Sequence, residues 1–198
     1  MSTQKMSRKL ILAIVLLASS LTVLECAFNF FRRKTYKIHK FLDSKEPIWT
    51  YTTSRRTDIL CEVDVMINIS ATAINFTRVS YDRKGRTSAV LHGEFHERRK
   101  KHMLVHTEGG LYDLHEEMLY MSSDHSCAVF MVTRLFGGTF RSYDLRLRNS
   151  SVAKGPRKDC VRKFKRRDLR GQVIYRPMCQ DILHGKEPGT MSNFTVEG

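Results

Sequence analysis

The cysteines are the most reactive side chains in the chain, and their spacing indicates disulfides. Four of them are widely separated without any CxxC pair, which argues against a structural zinc site. They are Cys61, Cys127, Cys160 and Cys179. Cys26 lies in an N-terminal segment that we expect to be removed, so an even number remains for two disulfides in an oxidising compartment. Four cysteines allow three pairings, and their positions along the chain do not choose among them.

A second reactive group combines two histidines with a carboxylate, as metal sites do. His92, Glu94 and His96 stand at alternate positions, and His102 and His106 follow after a turn. The order differs from the HExxH zinc motif, and alternate residues of a strand share one face. We therefore interpret this group as the solvated outer face of a strand, and we expect neither a metal nor a cofactor.

Patterns that accompany catalysis are missing from the sequence. It contains no GxSxG motif, no glycine-rich phosphate loop and no free cysteine beside a placed histidine, and its carboxylates are scattered. We therefore expect a binding protein and not an enzyme.

The N-terminus has the pattern of a secretory signal. Basic residues precede an apolar run from Leu10 to Ala18, which is too short to span a membrane and is followed by small residues. We expect residues 1–27 to be a signal peptide and residues 28–198 to form one secreted, extracellular domain with a flexible tail. Cleavage after Ser20 and retention as a signal anchor are the alternatives.

Glycosylation sequons and charge agree with export. Four N-x-S/T acceptor sequons begin at Asn68, Asn75, Asn149 and Asn193. The net charge is +14, and removal of residues 1–27, with three basic residues and one acidic residue, leaves +12. Such a cationic protein attracts glycosaminoglycans, anionic small molecules or membrane surfaces. No nucleic-acid-binding motif is present, so we do not expect a nucleic-acid partner.

Between Ile48 and Arg148, apolar residues recur at every second position, which predicts strands. The eight predicted strands begin with the one around Trp49 and continue with residues 61–69, 73–81, 88–96, 102–107, 117–121, 126–134 and 140–148. A regular series of short strands closes most economically into an up-and-down barrel, because closure removes exposed edges. The predicted fold class is therefore all-β, an eight-stranded antiparallel barrel with a short N-terminal helix and a C-terminal helix.

The segment 61–69 shows the alternation most clearly. Its apolar face comprises Cys61, Val63, Val65, Ile67 and Ile69, and its polar face comprises Glu62, Asp64 and Asn68. We expect the polar face, which carries the sequon at Asn68, to point toward solvent, where a sugar must lie.

Helices are expected on either side of the strand series. Apolar residues at helical spacing between Phe31 and Leu42 predict a short amphipathic helix that lies across an opening or flank of the sheet. Trp49, the only tryptophan, follows on the first strand as a core residue or as a plug for one end of the barrel. After the last strand, the basic segment Lys158–Arg167 predicts a helix with its apolar residues packed inward.

Four motifs occur in order along the chain. They are Glu46-Pro-Ile-Trp-Thr-Tyr51, Cys61-Glu-Val-Asp64, Asp124-His-Ser-Cys-Ala-Val-Phe130 and Tyr143-Asp-Leu-Arg-Leu-Arg-Asn-Ser-Ser151. This ordered set resembles the tick salivary lipocalins, the group that includes the histamine-binding proteins. The resemblance implies a lipocalin barrel with disulfides Cys61–Cys179 and Cys127–Cys160. It also implies a protein of tick saliva that serves immune evasion by sequestering a small host inflammatory mediator.

The class of mediator depends on the charge of the pocket. Where amine-binding members of this group have an aspartate and an aromatic residue, this chain has Ala128 and Arg146. A buried ammonium needs a carboxylate partner, so the departure disfavours histamine, although Asp144 remains a candidate. We favour an anionic lipid mediator such as a leukotriene or thromboxane, whose carboxylate Arg78 would hold. Binding of a biogenic amine, histamine or serotonin, is the alternative.

The predicted ligand-binding residues are those that we expect to line the interior. They are Trp49, Tyr51, Phe76, Arg78, Phe95, Tyr120, Phe130 and Asp144. Their aromatic rings would pack against the apolar tail of a ligand or would simply fill the core. A third interpretation, surface binding of a glycosaminoglycan or a host protein, is based on the basic runs Arg98–Lys101 and Arg162–Arg167. We expect the protein to be a monomer.

Overall fold

Within the described residues, nine strands form one antiparallel sheet that closes on itself. The strands are β1 (Ile48–Thr53), β2 (Leu60–Ile69), β3 (Ala73–Asp82), β4 (Gly85–Phe95), β5 (His102–Thr107), β6 (Leu114–Met121), β7 (Cys127–Arg134), β8 (Arg141–Arg148) and β9 (Gln172–Val173). β1 pairs along its length with β8, and through Ile48 and Trp49 it also pairs with β2. The first eight strands therefore make a closed up-and-down barrel, and the predicted fold class is confirmed.

The computed structural model describes residues 13–15, 37–107, 114–134 and 140–185. The chain divides into two units, Met1–Thr35 and Tyr36–Gly198. In the first unit, residues 13–15 are helical and exposed, and the rest of the predicted signal peptide lies outside the described residues, as does Asn193. Among the described residues, no helix has both the length and the apolar character that crossing a membrane would require.

Short helices flank the barrel in the described part of the second unit. They are α1 (Ile38–Leu42), α2 (Asn149–Val152), α3 (Lys158–Lys165) and a 3₁₀ helix (Pro177–His184). α3 confirms the predicted basic C-terminal helix, and its buried residues are Cys160 and Phe164.

α1 closes one end of the barrel. Its apolar residues are buried among inward-facing side chains, and the ring of Phe41 lies 5.7 Å from the ring of Phe130. The Ile38 amide donates a hydrogen bond to the Lys100 carbonyl at 2.9 Å. Arg148 Nη2 donates to the carbonyl of Phe41 at 3.0 Å. The expectation that a short helix lies across an opening is therefore confirmed for residues 38–42, while Phe31 lies outside the described residues.

Trp49 does not plug the barrel. Because Ile48 faces the interior, Trp49 faces outward, where the C-terminal segment covers it and leaves it 0% exposed. Its Nε1 donates a hydrogen bond to Asn149 Oδ1 at 2.8 Å. Its ring packs edge-on against Tyr175 with the centroids 5.1 Å apart. Trp49 is thus a core residue of the outer layer, and α1 closes the barrel instead.

Two disulfides fasten the C-terminal segment to this outer layer. Cys61–Cys179 joins β2 to the 3₁₀ helix with a Cα–Cα distance of 5.3 Å. Cys127–Cys160 joins β7 to α3 with a Cα–Cα distance of 6.4 Å. These are the pairings that the resemblance implied.

The expected orientation of β2 was wrong. Val63 faces outward beneath the C-terminal segment, whereas Glu62 and Asp64 face inward and are buried. The alternation was read correctly, but the covered outer face of this barrel is also apolar, so the apolar face did not identify the interior. A register shift between Met66 and Asn68 then returns Asn68 to the solvent side.

The described sequon asparagines occupy two different environments. Asn68 and Asn75 lie opposite each other on the outer face of β2 and β3, and Asn75 Nδ2 donates to Asn68 Oδ1 at 2.9 Å. Asn149 is half-buried, and its Oδ1 also accepts a hydrogen bond from Gln180 Nε2 at 2.9 Å. Glycosylation of these asparagines stays a prediction.

Candidate ligand-binding site

Inward-facing side chains form two layers between α1 and the opposite end of the barrel, where a cavity follows. The closed-end layer is apolar and comprises Ile48, Ile74, Phe76, Met103, Met118 and Phe130. The ionic layer comprises Glu62, Asp64, Arg78, Glu116, Asp144 and Arg146. Beyond it lies a cavity at the open end, which we call the open-end cavity. Each strand contributes to successive layers because every second residue of a strand points inward.

The ionic layer is held together by arginine–carboxylate pairs. Arg146 donates two hydrogen bonds to Glu116, at 2.7 and 2.8 Å, and a third to Asp144 at 3.2 Å. Arg78 donates two to Asp64, at 2.6 and 2.8 Å. Glu62 accepts hydrogen bonds from Thr50 at 2.9 Å and from Arg55 at 3.1 Å, so every carboxylate of the layer has an arginine partner.

Burial and pairing shift the pKa values of the ionic layer in opposite directions. Burial alone would raise the pKa of Glu116, but the guanidinium groups of Arg146 and Arg78 outweigh burial and lower the pKa to about 2. Burial raises the pKa of Asp144; Arg146 opposes this increase and nearby Glu62 reinforces it. The layer therefore keeps Glu116 ionised at neutral pH, while Asp144 takes up a proton more readily than an exposed aspartate does.

The closed-end layer leaves almost no room for a ligand. The small cavity between α1 and the ionic layer offers about 10 Å³ to the centre of a water molecule, which is room for about one water. Gly93 illustrates the close packing, since an added Cβ there would lie 2.6 Å from Met103 Sδ. The apolar tail that we expected to pack against Phe76 and Phe130 finds this space filled.

The open-end cavity is large and basic. Its volume is about 600 Å³, within the range of about 300–1,000 Å³ that is typical of ligand pockets. Its apolar lining comprises Leu114, Val132 and Phe140, and its polar lining comprises Ser54, Ser142, Gln172 and the five arginines Arg55, Arg56, Arg134, Arg141 and Arg170. Because the described residues that line the cavity include no carboxylate, their charge is suited to an anion.

Most of these arginines have guanidinium groups that are not fully used in ion pairs or hydrogen bonds with described residues. Arg56, Arg134 and Arg141 form no ion pair with any described residue. Arg55 pairs with Glu62 through Nη2, yet its Nε is buried without a hydrogen-bond partner in the described part of the chain. Arg170 pairs with Asp168 at 3.3 Å and is exposed.

Comparison with known proteins agrees with this architecture. No protein-family model and no curated protein matches the chain. Among solved structures, Japanin from Rhipicephalus appendiculatus, bound to cholesterol, matches with a TM-score of 0.51 and 6% identity over 67% of this chain and 93% of its own. The siderocalin Ex-FABP, described as functioning through dual ligand specificities, matches with a TM-score of 0.50 and 15% identity over 66% of this chain and 89% of its own. The fold is a lipocalin-type barrel. Membership of the histamine-binding group stays a prediction, because such low identities show the fold alone.

The lipocalin-type barrel brings five of the eight predicted ligand-binding residues to its interior. These five are Phe76, Arg78, Phe95, Phe130 and Asp144. Trp49, Tyr51 and Tyr120 lie on the outer side, against the C-terminal segment. Tyr120 is outside because a register shift between Met118 and Tyr120 reverses the alternation of β6, and its hydroxyl donates to Asp159 of α3 at 2.9 Å.

Arg78 is inside the lipocalin-type barrel but is already engaged. Both of its hydrogen bonds to Asp64 are short, and it contacts Glu116 at 3.3 Å. Burial alone would lower the pKa of Arg78, but Asp64 and Glu116 raise it well above its usual value. Arg78 therefore supports the ionic layer, and a ligand carboxylate would have to compete with two protein carboxylates for it.

The arginines of the open-end cavity escaped the sequence analysis. They come from the β1–β2 loop, the end of β7, the start of β8 and the segment after α3. Alternation of apolar and polar residues predicts which way side chains point within a strand. It does not predict the direction of side chains at strand ends or in loops. The one available signal was the recurrence of arginine at strand ends that meet at one end of an up-and-down barrel.

The histidine group lies on the outer face, as expected, but His102 is buried and not solvated. His92 Nδ1 is 2.6 Å from Asn75 Oδ1 and its ring packs against that of His106. His102 Nδ1 is 3.0 Å from His115 Nε2 on β6. In the described ranges, the one cluster of three potential metal ligands is Cys127, Asp159 and Cys160, whose cysteines form a disulfide.

Proposed function

We propose that the protein is a secreted lipocalin that sequesters a small anionic lipid mediator of the leukotriene or thromboxane type. In this proposal, binding in the open-end cavity removes the mediator from the inflammatory response of a host. The observation that carries the proposal is a cavity of about 600 Å³ whose described lining combines five arginines with an apolar wall and contains no carboxylate.

Geometry suggests how such a ligand would sit. Leu114 and Val132 continue the apolar packing of the interior, so they offer a surface for hydrocarbon. Arg134 and Arg141 stand at the same opening without a carboxylate partner among the described residues. A ligand carboxylate can accept paired hydrogen bonds from a guanidinium, and each such bond contributes about 1.5–3 kcal/mol. Arg55 connects this site to the ionic layer through its ion pair with Glu62.

The amine alternative has less support. The interior carboxylates Glu62, Asp64, Glu116 and Asp144 all accept hydrogen bonds from arginine. An ammonium ligand would have to displace a guanidinium from one of them, and leaving a buried charge unpaired costs several kcal/mol. The open-end cavity would also repel an amine.

Secretion is supported by two disulfides, which persist in oxidising compartments. The lipocalin-type neighbours add support for ligand binding, because one of them is described as bound to cholesterol and the other as having dual ligand specificities.

Titration calorimetry of the chain secreted from eukaryotic cells tests the proposal. The panel would contain a leukotriene, a stable thromboxane analogue, histamine and serotonin. We expect one anionic lipid to bind with one-to-one stoichiometry and the amines to give no signal. Tighter binding of an amine, or no binding of any anionic lipid, would refute the proposal.

A further inference from the structure

The exposed face of α3 carries a row of four cations that the proposed function does not use. Lys158, Arg162, Lys165 and Arg166 follow the spacing i, i+4, i+7 and i+8, so they share one side of the helix. Together with Pro156, Val161 and Leu169 they line a groove of about 510 Å³, which we call the basic groove. At a rise of about 1.5 Å per residue the row extends over about 12 Å.

These four cations are not neutralised by the rest of the described chain. All four are exposed and none forms an ion pair with a described carboxylate. The nearby acids are already occupied. Asp159 accepts hydrogen bonds from Arg157 and Tyr120, and Asp168 pairs with Arg170.

Helix stability does not account for the row. Like charges four residues apart, as in Lys158 and Arg162, destabilise a helix. The helix dipole favours Arg162 and Lys165 in the last turn but disfavours Lys158 in the first turn, so it does not account for the whole row. The charges therefore indicate a polyanionic partner outside the protein.

The surroundings of the basic groove favour one kind of polyanion. A helix binds a membrane surface by turning its apolar face into the lipid, but here Cys160 and Phe164 are buried against the barrel and Cys160 is fixed to Cys127. Leu169, at 84% exposed, is the one fully exposed large apolar residue of the groove. None of its described lining residues is aromatic, so they offer nucleic-acid bases no stacking surface.

We infer that the basic groove binds a linear sulfated polysaccharide, with the four cations contacting successive sulfate or carboxylate groups along one chain. A row of unpaired cations along a groove with no aromatic residue among its described lining matches a partner that is recognised through repeated anionic groups. The site is separate from the open-end cavity, so it would hold the lipocalin on an extracellular matrix without occupying the ligand site.

Affinity for a defined heparin oligosaccharide at several salt concentrations tests the inference. The variant Arg162→Gln/Lys165→Gln/Arg166→Gln keeps good helix formers and removes three charges. Each lost contact reduces the slope of log K against log salt concentration by about 1, so we expect a decrease of about 3 in this variant. Its binding of an anionic lipid should be unchanged.

The matched control removes three charges from the β4–β5 loop through Arg98→Gln/Arg99→Gln/Lys100→Gln. We expect this variant to retain the full salt slope. An equal decrease in both variants would show that net charge alone drives binding and would overturn the inference. So would equally tight binding of a DNA oligonucleotide, or of phosphatidylserine vesicles, at the same salt concentration.

Discussion

Arg146 donates two hydrogen bonds to Glu116 inside the barrel, from Nη1 to Oε2 at 2.7 Å and from Nη2 to Oε1 at 2.8 Å. The pair spans from β8 to β6 and passes Phe130 of β7, whose ring centroid lies 4.5 Å from the guanidinium carbon. Neither side chain is more than 1% exposed, so each depends on the other to compensate its charge. This pair is the centre of the ionic layer that separates the two ends of the interior.

Replacing Arg146 by methionine should destabilise the protein strongly. Arg146→Met leaves Glu116 with only the weaker contact to Arg78, and breaking a buried pair costs about 3–5 kcal/mol. The free energy of unfolding in urea measures the loss. In the double variant Arg146→Met/Glu116→Met the loss should be smaller than the sum of the two single losses, because no unpaired partner remains.

The exposed pair between Arg157 and Asp124, at 2.9 Å, provides the control. Arg157→Gln removes this pair and the one with Asp159 and should cost much less stability than Arg146→Met, since solvent screens both pairs. If Arg146→Met is no more damaging than Arg157→Gln, the ionic layer does not have the structural role assigned to it.

Stability should decrease in acid because of Glu116. Its pKa is about 2 in the folded protein and about 4.5 when unfolded, so its contribution is complete above pH 4.5 and disappears as the pH falls toward 2. The shift corresponds to about 3 kcal/mol. Urea unfolding between pH 7 and pH 2 measures the decrease. Glu116→Gln, which does not titrate, should lose less stability over the same interval, and identical pH profiles would contradict the assignment.

Neutralising either of two arginines of the open-end cavity should weaken the binding of an anionic lipid. Arg134→Gln or Arg141→Gln removes a charged hydrogen-bond donor, which costs about 1.5–3 kcal/mol or about 10- to 150-fold in Kd. Calorimetry with the anionic lipid identified from the panel measures the change. Arg83→Gln/Arg86→Gln removes exposed charges near the β3–β4 turn that do not line the cavity, and affinity should hold. Equal losses in both cases would point to net charge alone.

The fluorescence of Trp49 should respond little to a ligand in the open-end cavity. Trp49 is fully buried on the outer face and hydrogen-bonded to Asn149, so the ligand does not contact it. A reporter placed in the cavity, Ser142→Trp in a Trp49→Phe background, should change its emission on binding. Saturating quenching of Trp49 at one-to-one stoichiometry, with no response from the reporter, would place the ligand elsewhere.

The strands could be predicted because both of their faces and their turns leave a local signal. All seven numbered strand predictions after the first strand start and end within three residues of the observed bounds, and β5 at His102–Thr107 agrees at both ends. The helix from Lys158 likewise follows from its local pattern. What alternation does not reveal is which face is inside. In β2 the outer Val63 is covered by the C-terminal segment, while the inner Asp64 is paired with Arg78 from another strand.

The site was harder to predict than the fold for two physical reasons. A single register shift inverts all later positions of a strand, which is why Tyr120 faces outward although Met118 faces inward. The linear sequence also does not show which charged residues pair with each other in the fold. Arg78 points inward as expected, but Asp64 and Glu116, which occupy it, are 14 and 38 positions away along the chain.

Among the described residues, α1 closes one end of the barrel, with Phe41 packed against Phe130 and the ionic layer above them. A ligand that binds as proposed in the open-end cavity would therefore enter and leave by the same route. A competitor therefore cannot push an occupant out from behind and must wait for it to depart. Exchange of one cargo for another should proceed at the spontaneous dissociation rate, whatever the competitor concentration.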